Sequence, residues 1–288
     1  MRFAKYHGTG NDFVMIEDVE DRVALTPSLV AGLCDRHMGV GADGVIRIAP
    51  SEGADFFMDY WNADGNVAEM CGNGIRCLAK YVFDRGLATQ TDLAVDTRDG
   101  VKQLTLSVAD GVVDSVRVDM GPPAFSREEI PVAGEPGSEL RDEPWVVDGV
   151  EYRAWAVSMG NPHLVLIGEQ DPEKLDVPRL GPSLEHDERF PQRTNVEFVK
   201  VEDGVVNVRV WERGSGETMA CGTGACASLV TAARAGLVPR EAPVRFPGGL
   251  LRVEWTEDTV FLEGPAAFVF EGEMSRPWVE ARLAEARS

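Results

Sequence analysis

The sequence predicts an α+β protein: two structurally similar domains, each of mostly antiparallel strands wrapped around a central helix, related by pseudo-twofold symmetry. Three observations predict it. The 288 residues exceed what one compact core usually holds and suit two domains of about 100–150 residues. The stretch CGNGIRCLAKYVFDRGL from Cys71 aligns without a gap with CGTGACASLVTAARAGL from Cys221, 150 positions later, and GNDFVMI from Gly10 stands at the same offset from GNPHLVLI at Gly160. Segments of alternating polarity surround both stretches and supply strands. One long offset marks a duplicated plan; a solenoid would repeat every 20–50 residues or so.

Each copy reads as strand, connection, strand, glycine-rich turn and helix. In the first, DFVMI is a strand, a less regular region follows, DFFMDYW is a second strand, and a helix runs from about Gly74 to Arg85. Ile75, Leu78, Ala79, Val82 and Phe83 recur at helical spacing, and Gly86 stands where a left-handed C-terminal cap belongs. LTLSVADGVVDSVRVDM continues as strands. In the second copy VVNVRVW alternates as a strand, and GACASLVTAARAG is a helix so rich in small residues that it suits burial on every side. LLRVEW is a further strand, and SRPWVEARLAEARS reads as a terminal helix.

Composition excludes several classes of function. A net charge of -20 and a pI near 4.6 disfavour nucleic acid and acidic membrane surfaces as partners, because phosphate binders gather Lys and Arg. No apolar run approaches the length of a membrane span, and MRFAKYHGTGNDF lacks the apolar core of a signal peptide. Five cysteines are too few and too odd in number for a disulfide framework, so reduced thiols and a cytoplasmic location are expected. The cysteines and four histidines show no metal-ligand spacing, and no metal is expected. GTGACA fits G-x-G-x-x-A, but ERGSGETMAC separates it from the preceding strand, which argues against a dinucleotide fold.

Cys71 and Cys221 carry the chemistry. A cysteine just ahead of a helix lies in the helix-dipole field beside unpaired N–H groups, and its thiol pKa is expected to fall from about 8.5. The N–H groups that follow, at Gly72 and Asn73 and at Gly222 and Thr223, can hold a carboxylate. Cys34, Cys77 and Cys226 read as small buried hydrophobes. Two related thiols, one accepting a proton and one donating, suit racemisation or epimerisation at a carbon, with helix ends stabilising the charge and no cofactor as electron sink.

HGTGNDF, WNADG, MCGNGIRC, GNPH, TNVEF, WERGSGET and ACGTGACA together resemble the diaminopimelate epimerases, over about residues 3 to 230. The resemblance implies interconversion of LL- and meso-2,6-diaminopimelate by Cys71 and Cys221 without pyridoxal phosphate or another cofactor, on the path to lysine and peptidoglycan. It implies a homodimer with the small-molecule substrate as its partner. By motif, Asn11, Asn62, Asn161, Asn195 and Arg213 would hold the substrate, His163 and Glu212 would flank the reacting centre, and RGSGE would close over it. Many members carry Gln where Gly44 stands, so one contact departs from the pattern. The resemblance also implies a first half of residues 1–120 rejoined by a C-terminal strand at about 265–288, and a second half of residues 121–264. Three rivals remain: an epimerase of another amino acid, a cysteine hydrolase using Cys221 and His163, and a binding protein retaining the fold.

Overall fold

The computed structural model describes residues 1–285. Its elements are β1 (Arg2–Gly8), β2 (Asn11–Glu17), α1 (Pro27–Cys34), β3 (Gly44–Ala49), β4 (Phe56–Asn62), α2 (Gly72–Asp84), β5 (Asp92–Asp96), β6 (Lys102–Ala109) and β7 (Val112–Asp119). There follow β8 (Glu143–Val147), β9 (Val150–Ser158), β10 (Pro162–Ile167), α3 (Val177–Glu185), β11 (Asn195–Glu202), β12 (Val205–Glu212), β13 (Gly216–Thr218), α4 (Gly222–Arg234), β14 (Glu241–Phe246), β15 (Gly249–Trp255) and β16 (Val260–Gly264). The chain ends with β17 (Ala267–Glu273) and α5 (Arg276–Glu285). The last residues of the terminal helix read from sequence, 286–288, lie outside the described residues. The chain divides into two compact units, Met1–Val118 with the segment from Gly264 onward, and Asp119–Glu263.

Each unit repeats one wiring. In the first, β17, β1 and β2 pair antiparallel, β2 pairs parallel with β3, β3 antiparallel with β4, β4 parallel with β5, and β5, β6 and β7 antiparallel. The second repeats this as β8–β9–β10, β10 parallel with β11, β11 antiparallel with β12, β12 parallel with β14, then β14–β15–β16. The parallel pairs fall where a helix intervenes, because parallel neighbours need a crossover. The less regular region of the first copy is such a crossover: α1, only eight residues long, and β3.

The helices α2 and α4 are central. Ile75, Leu78, Ala79 and Val82 of α2 are fully buried against β1, β2, β3, β4, β6 and β17. Each large aliphatic side chain so buried contributes about 1.5–3 kcal/mol. The alanine-rich α4 is likewise enclosed, by β9, β10, β11, β12, β14 and β15. Both helices end alike. Gly86 and Gly236 adopt φ of 74°, and Leu87 and Leu237 donate back to Val82 and Ala232 at 2.8 and 3.0 Å. This left-handed cap needs a residue without a Cβ.

On the other face of each sheet lies a second helix. In the first unit α1, capped by Thr26, covers Val14, Ile16 and Val45. In the second α3 covers Leu164, Leu166, Val196 and Phe198. Strand alternation therefore turns Phe13, Gly44 and Ile46 toward α2, and His163, Asn195 and Glu197 toward α4. Among the described residues no helix is long and apolar enough to cross a membrane.

Candidate active site

Both helices begin one residue after the cysteine, so each cysteine is itself the N-cap rather than a residue of the preceding turn. At Cys71 the sulfur caps the helix: Gly74 N–H donates to Sγ at 3.4 Å, and the thiol points at Asn11 Oδ1, 3.7 Å away. Asn11 is held from both ends. Its amide donates to Asp43 at 2.8 Å, and its oxygen accepts from Asn73 at 3.3 Å. Asp43 is in turn bound by Arg36, which also grips Asp12, and Lys5 pairs with Asp12 at 2.6 Å. Burial opposes ionisation of Asp12, but the Arg36 and Lys5 hydrogen bonds outweigh it and hold its carboxyl at about 2. Beneath the helix start, the fully buried Arg76 donates to Gly72 O, Asn73 Oδ1 and Thr9 Oγ1. Gly72 and Asn73 are thus fixed from inside, and Asn73, 2% exposed, supports Asn11 rather than facing solvent.

Cys221 stands in different surroundings. Its sulfur makes no cap bond, lies 3.5 Å from Thr223 Oγ1 and is only 5% exposed. Burial first, then the Glu212 and Glu197 carboxylates, push its thiol well above the ordinary value, and the thiol hydrogen-bonds to Glu212. The expected lowering of the thiol pKa therefore fails here. A helix start offers about half a positive charge, and burial with two acidic neighbours outweighs it. Glu212 is steadied by a bond from Thr218 Oγ1. Cys34 and Cys77 are buried as expected; burial pushes Cys34 up to about 12 and Cys77 higher still, and Cys226 is wholly enclosed.

His163 and Glu197 form a pair of 0% exposure beneath the start of α4, with Nδ1 2.7 Å from Oε1. Nε2 of the same ring lies 2.9 Å from Asn161 Oδ1. Both ring nitrogens are committed, so His163 is not hydrogen-bonded to the Cys221 sulfur as a hydrolase dyad requires. Desolvation raises the Glu197 carboxyl, against the pull of His163, and its Oε2 has no hydrogen-bond partner among the described residues. Asn195 is also committed: its amide donates to Pro162 O and accepts the Arg213 N–H, both at 2.9 Å. The Arg213 guanidinium is exposed and donates to Gln192 O at 3.2 Å. The RGSGE segment is a tight hairpin rather than a free lid, pinned by the buried Glu185, which accepts from Trp211 Nε1 at 2.8 Å and Gly214 N–H at 3.0 Å. In the first unit Asn62 is half-buried beside Tyr60. Among the described residues no three His, Cys, Asp or Glu side chains cluster as a metal site would require.

These sites can be set beside known proteins. A profile of the diaminopimelate epimerase family matches residues 3–126 and 155–269. Diaminopimelate epimerases of Acetivibrio thermocellus and Desulfitobacterium hafniense are 47% and 48% identical, over 95% and 94% of this chain and 98% and 97% of theirs. The chain belongs to the diaminopimelate epimerase family. A relative of the same name from the archaeon Methanococcus maripaludis is 43% identical over 95% of this chain and 99% of its own. The fold extends further. A hydroxyproline epimerase from Agrobacterium vitis superposes with a TM-score of 0.70 at 16% identity, covering 95% of this chain and 90% of that one. A phenazine biosynthesis protein of Bacillus anthracis does so at 0.65 and 17%, covering 96% and 99%.

Within this family frame, four residues that sequence reasoning passed over support the two sites: Asp43, Arg76, Glu185 and Glu197. Three are charged residues in the core, where charge is rare unless paired, and a default surface assignment hides them. For Glu197 a signal existed. It lies two positions after Asn195 in a strand, so alternation puts both on one face.

Proposed function

We propose that Cys71 and Cys221 are the two proton-transfer groups of an epimerase that needs no pyridoxal phosphate or metal. The chain is an isomerase of the diaminopimelate epimerase family, interconverting LL- and meso-2,6-diaminopimelate on a route to lysine. The observation that carries the proposal is that one wiring recurs in two units and sets an N-cap cysteine followed by Gly-x-Gly at the same place in each.

One sulfur, as thiolate, takes the α-proton and becomes a thiol; the other, as thiol, gives its proton to the opposite face of the carbon and is left as thiolate. The two protonation states are exchanged, and reaction in the opposite direction restores them. The surroundings of Cys221 support it as the proton donor of the free enzyme, with its hydrogen bond to Glu212 orienting the thiol. Charge developing on the substrate carboxylate is met by the N–H groups of Gly72 and Asn73, and of Gly222 and Thr223. Asn11, Asn62, Asn161 and Arg213 hold the amino and carboxylate groups, while His163 and Asn195 position Asn161 and Arg213. An exposed apolar run, Phe268, Val269 and Phe270 on β17, supports assembly as a homodimer, and the sparse thiols support a cytoplasmic enzyme.

The test is incubation with LL-diaminopimelate in deuterium oxide without added cofactor. Inversion should proceed with deuterium appearing at the α-carbon, and Cys71→Ala and Cys221→Ala should each lower epimerisation by three orders of magnitude or so. Inversion without exchange, or full activity in either variant, would remove the two-thiol mechanism.

A further inference from the structure

Gly44 and its counterpart in the second unit, Asn195, are different residues. Gly44 pairs with Phe13 as Asn195 pairs with His163, so Gly44 stands where the second unit has an asparagine that anchors a neighbouring strand end. Across the next pair, Ile46 opposes Tyr60 as Glu197 opposes Val210, so Tyr60 replaces a valine. The two differences are one exchange. A Cβ at Gly44 would lie 2.7 Å from Tyr60 Cε2, 2.6 Å from Trp61 O and 3.5 Å from the Tyr60 hydroxyl. The tyrosine ring therefore occupies the volume a side chain at 44 would take, and brings its own polar atom there.

That atom has a definite target. Tyr60 is 8% exposed, its ring set edge-on to Phe13 at 5.9 Å, and its hydroxyl donates to Asn62 Oδ1 at 2.9 Å. A phenol donates better than it accepts, because its lone pair is shared with the ring. With Oδ1 accepting from the tyrosine, the half-buried Asn62 amide keeps its N–H end for another partner.

We propose that Tyr60 is a positioning residue for turnover: it locks the Asn62 amide so that Asn62 offers N–H donors, and so reads a carboxylate of the substrate rather than an ammonium. This rests on the reading of Asn62 as a substrate-holding residue.

The test is a double-mutant cycle of Tyr60→Phe and Asn62→Ala, with kcat and KM for LL-diaminopimelate and the melting temperature of each variant. Tyr60→Phe keeps the ring and should melt as the parent does, yet raise KM roughly 3- to 10-fold with kcat little changed, the effect of one orienting hydrogen bond. In the Asn62→Ala background the same change should have no further effect on KM, because the Tyr60 hydroxyl bears on the substrate through Asn62. Unchanged kinetics in Tyr60→Phe beside an impaired Asn62→Ala, or penalties that simply add, would overturn the role of Tyr60. Normal kinetics in Asn62→Ala would overturn the reading of Asn62 beneath it.

Discussion

Under the start of α2 the sheet presents Phe13, Gly44, Ile46, Tyr60 and Asn62; under the start of α4, the same places hold His163, Asn195, Glu197, Val210 and Glu212. The backbone plan is shared, and the polarity of the floor is inverted. In the first unit the strand residues beneath the helix are largely apolar; the charge lies in the helix's own buried Arg76 and, to one side, in the Lys5, Asp12, Arg36 and Asp43 network behind Asn11. In the second, a buried His–Glu pair lies under the helix and two carboxylates act on the thiol. A duplicated scaffold thus sets both cysteines at a helix start, while the strand residues beneath the second push its thiol up. The two-thiol reaction proposed above needs one thiol and one thiolate in each resting form, because two thiolates would leave no acid and two thiols no base.

The largest test of this contrast gives the second unit the floor of the first. His163→Phe alone strands Glu197 in the core and should destabilise the fold by about 3–5 kcal/mol, and Glu197→Ile alone leaves Nδ1 unpaired at a cost of about 1–3 kcal/mol. The double variant, which copies Phe13 and Ile46, should recover most of that stability in urea unfolding, because the two effects share one contact. Its turnover should stay down by about 100-fold, since Asn161 loses its partner and Cys221 loses a carboxylate. If the double variant were as unstable as the two single losses summed, the pair would not be the unit described.

A smaller effect separates two equivalent glycines. A Cβ on Gly74 would meet Ile46 Cδ1 at 2.6 Å and Met58 Cε at 3.0 Å, both free ends that can turn aside. On Gly224 it would meet Glu197 Oε1 at 2.8 Å, an atom held by His163. Gly224→Ala should therefore cost about 1–3 kcal/mol and Gly74→Ala less than about 1 kcal/mol. Equal losses in thermal or urea unfolding would mean that the His–Glu pair yields as easily as an aliphatic tip.

Much of this was legible in the chain. The duplication rests in part on residues whose identity the fold constrains: Gly86 and Gly236 by their backbone at left-handed caps, and Gly224 by the Glu197 carboxylate that a Cβ would strike. The thiol positions followed from these. The crossover elements α1 and β3 did not, because eight helical residues beginning with Pro and containing Gly give too short a period to register. Nor did the acidity of Cys221. Sequence places a cysteine at a helix start, which argues for a lowered pKa, but the opposing contributions, burial and the carboxylates of Glu212 and Glu197, depend on how β11 and β12 pack beneath that start. Arg76 sits one position before Cys77 on a helix and would pass as a surface residue; only its bonds to Gly72, Asn73 and Thr9 show why it is inside.

The hold of burial and carboxylates on Cys221 is measured most directly by its ionisation. Thiolate absorbance near 240 nm, titrated in Cys71→Ala and in Cys71→Ala/Cys221→Ala and subtracted, isolates Cys221. Cys34 and Cys77 are held up by burial and cancel in the difference. The predicted result is a Cys221 thiol still protonated at pH 9, above the ordinary cysteine value of about 8.5. A Cys221 thiolate formed at or below that value would contradict the account, for the helix start would then govern the sulfur and the carboxylates of Glu212 and Glu197 would not.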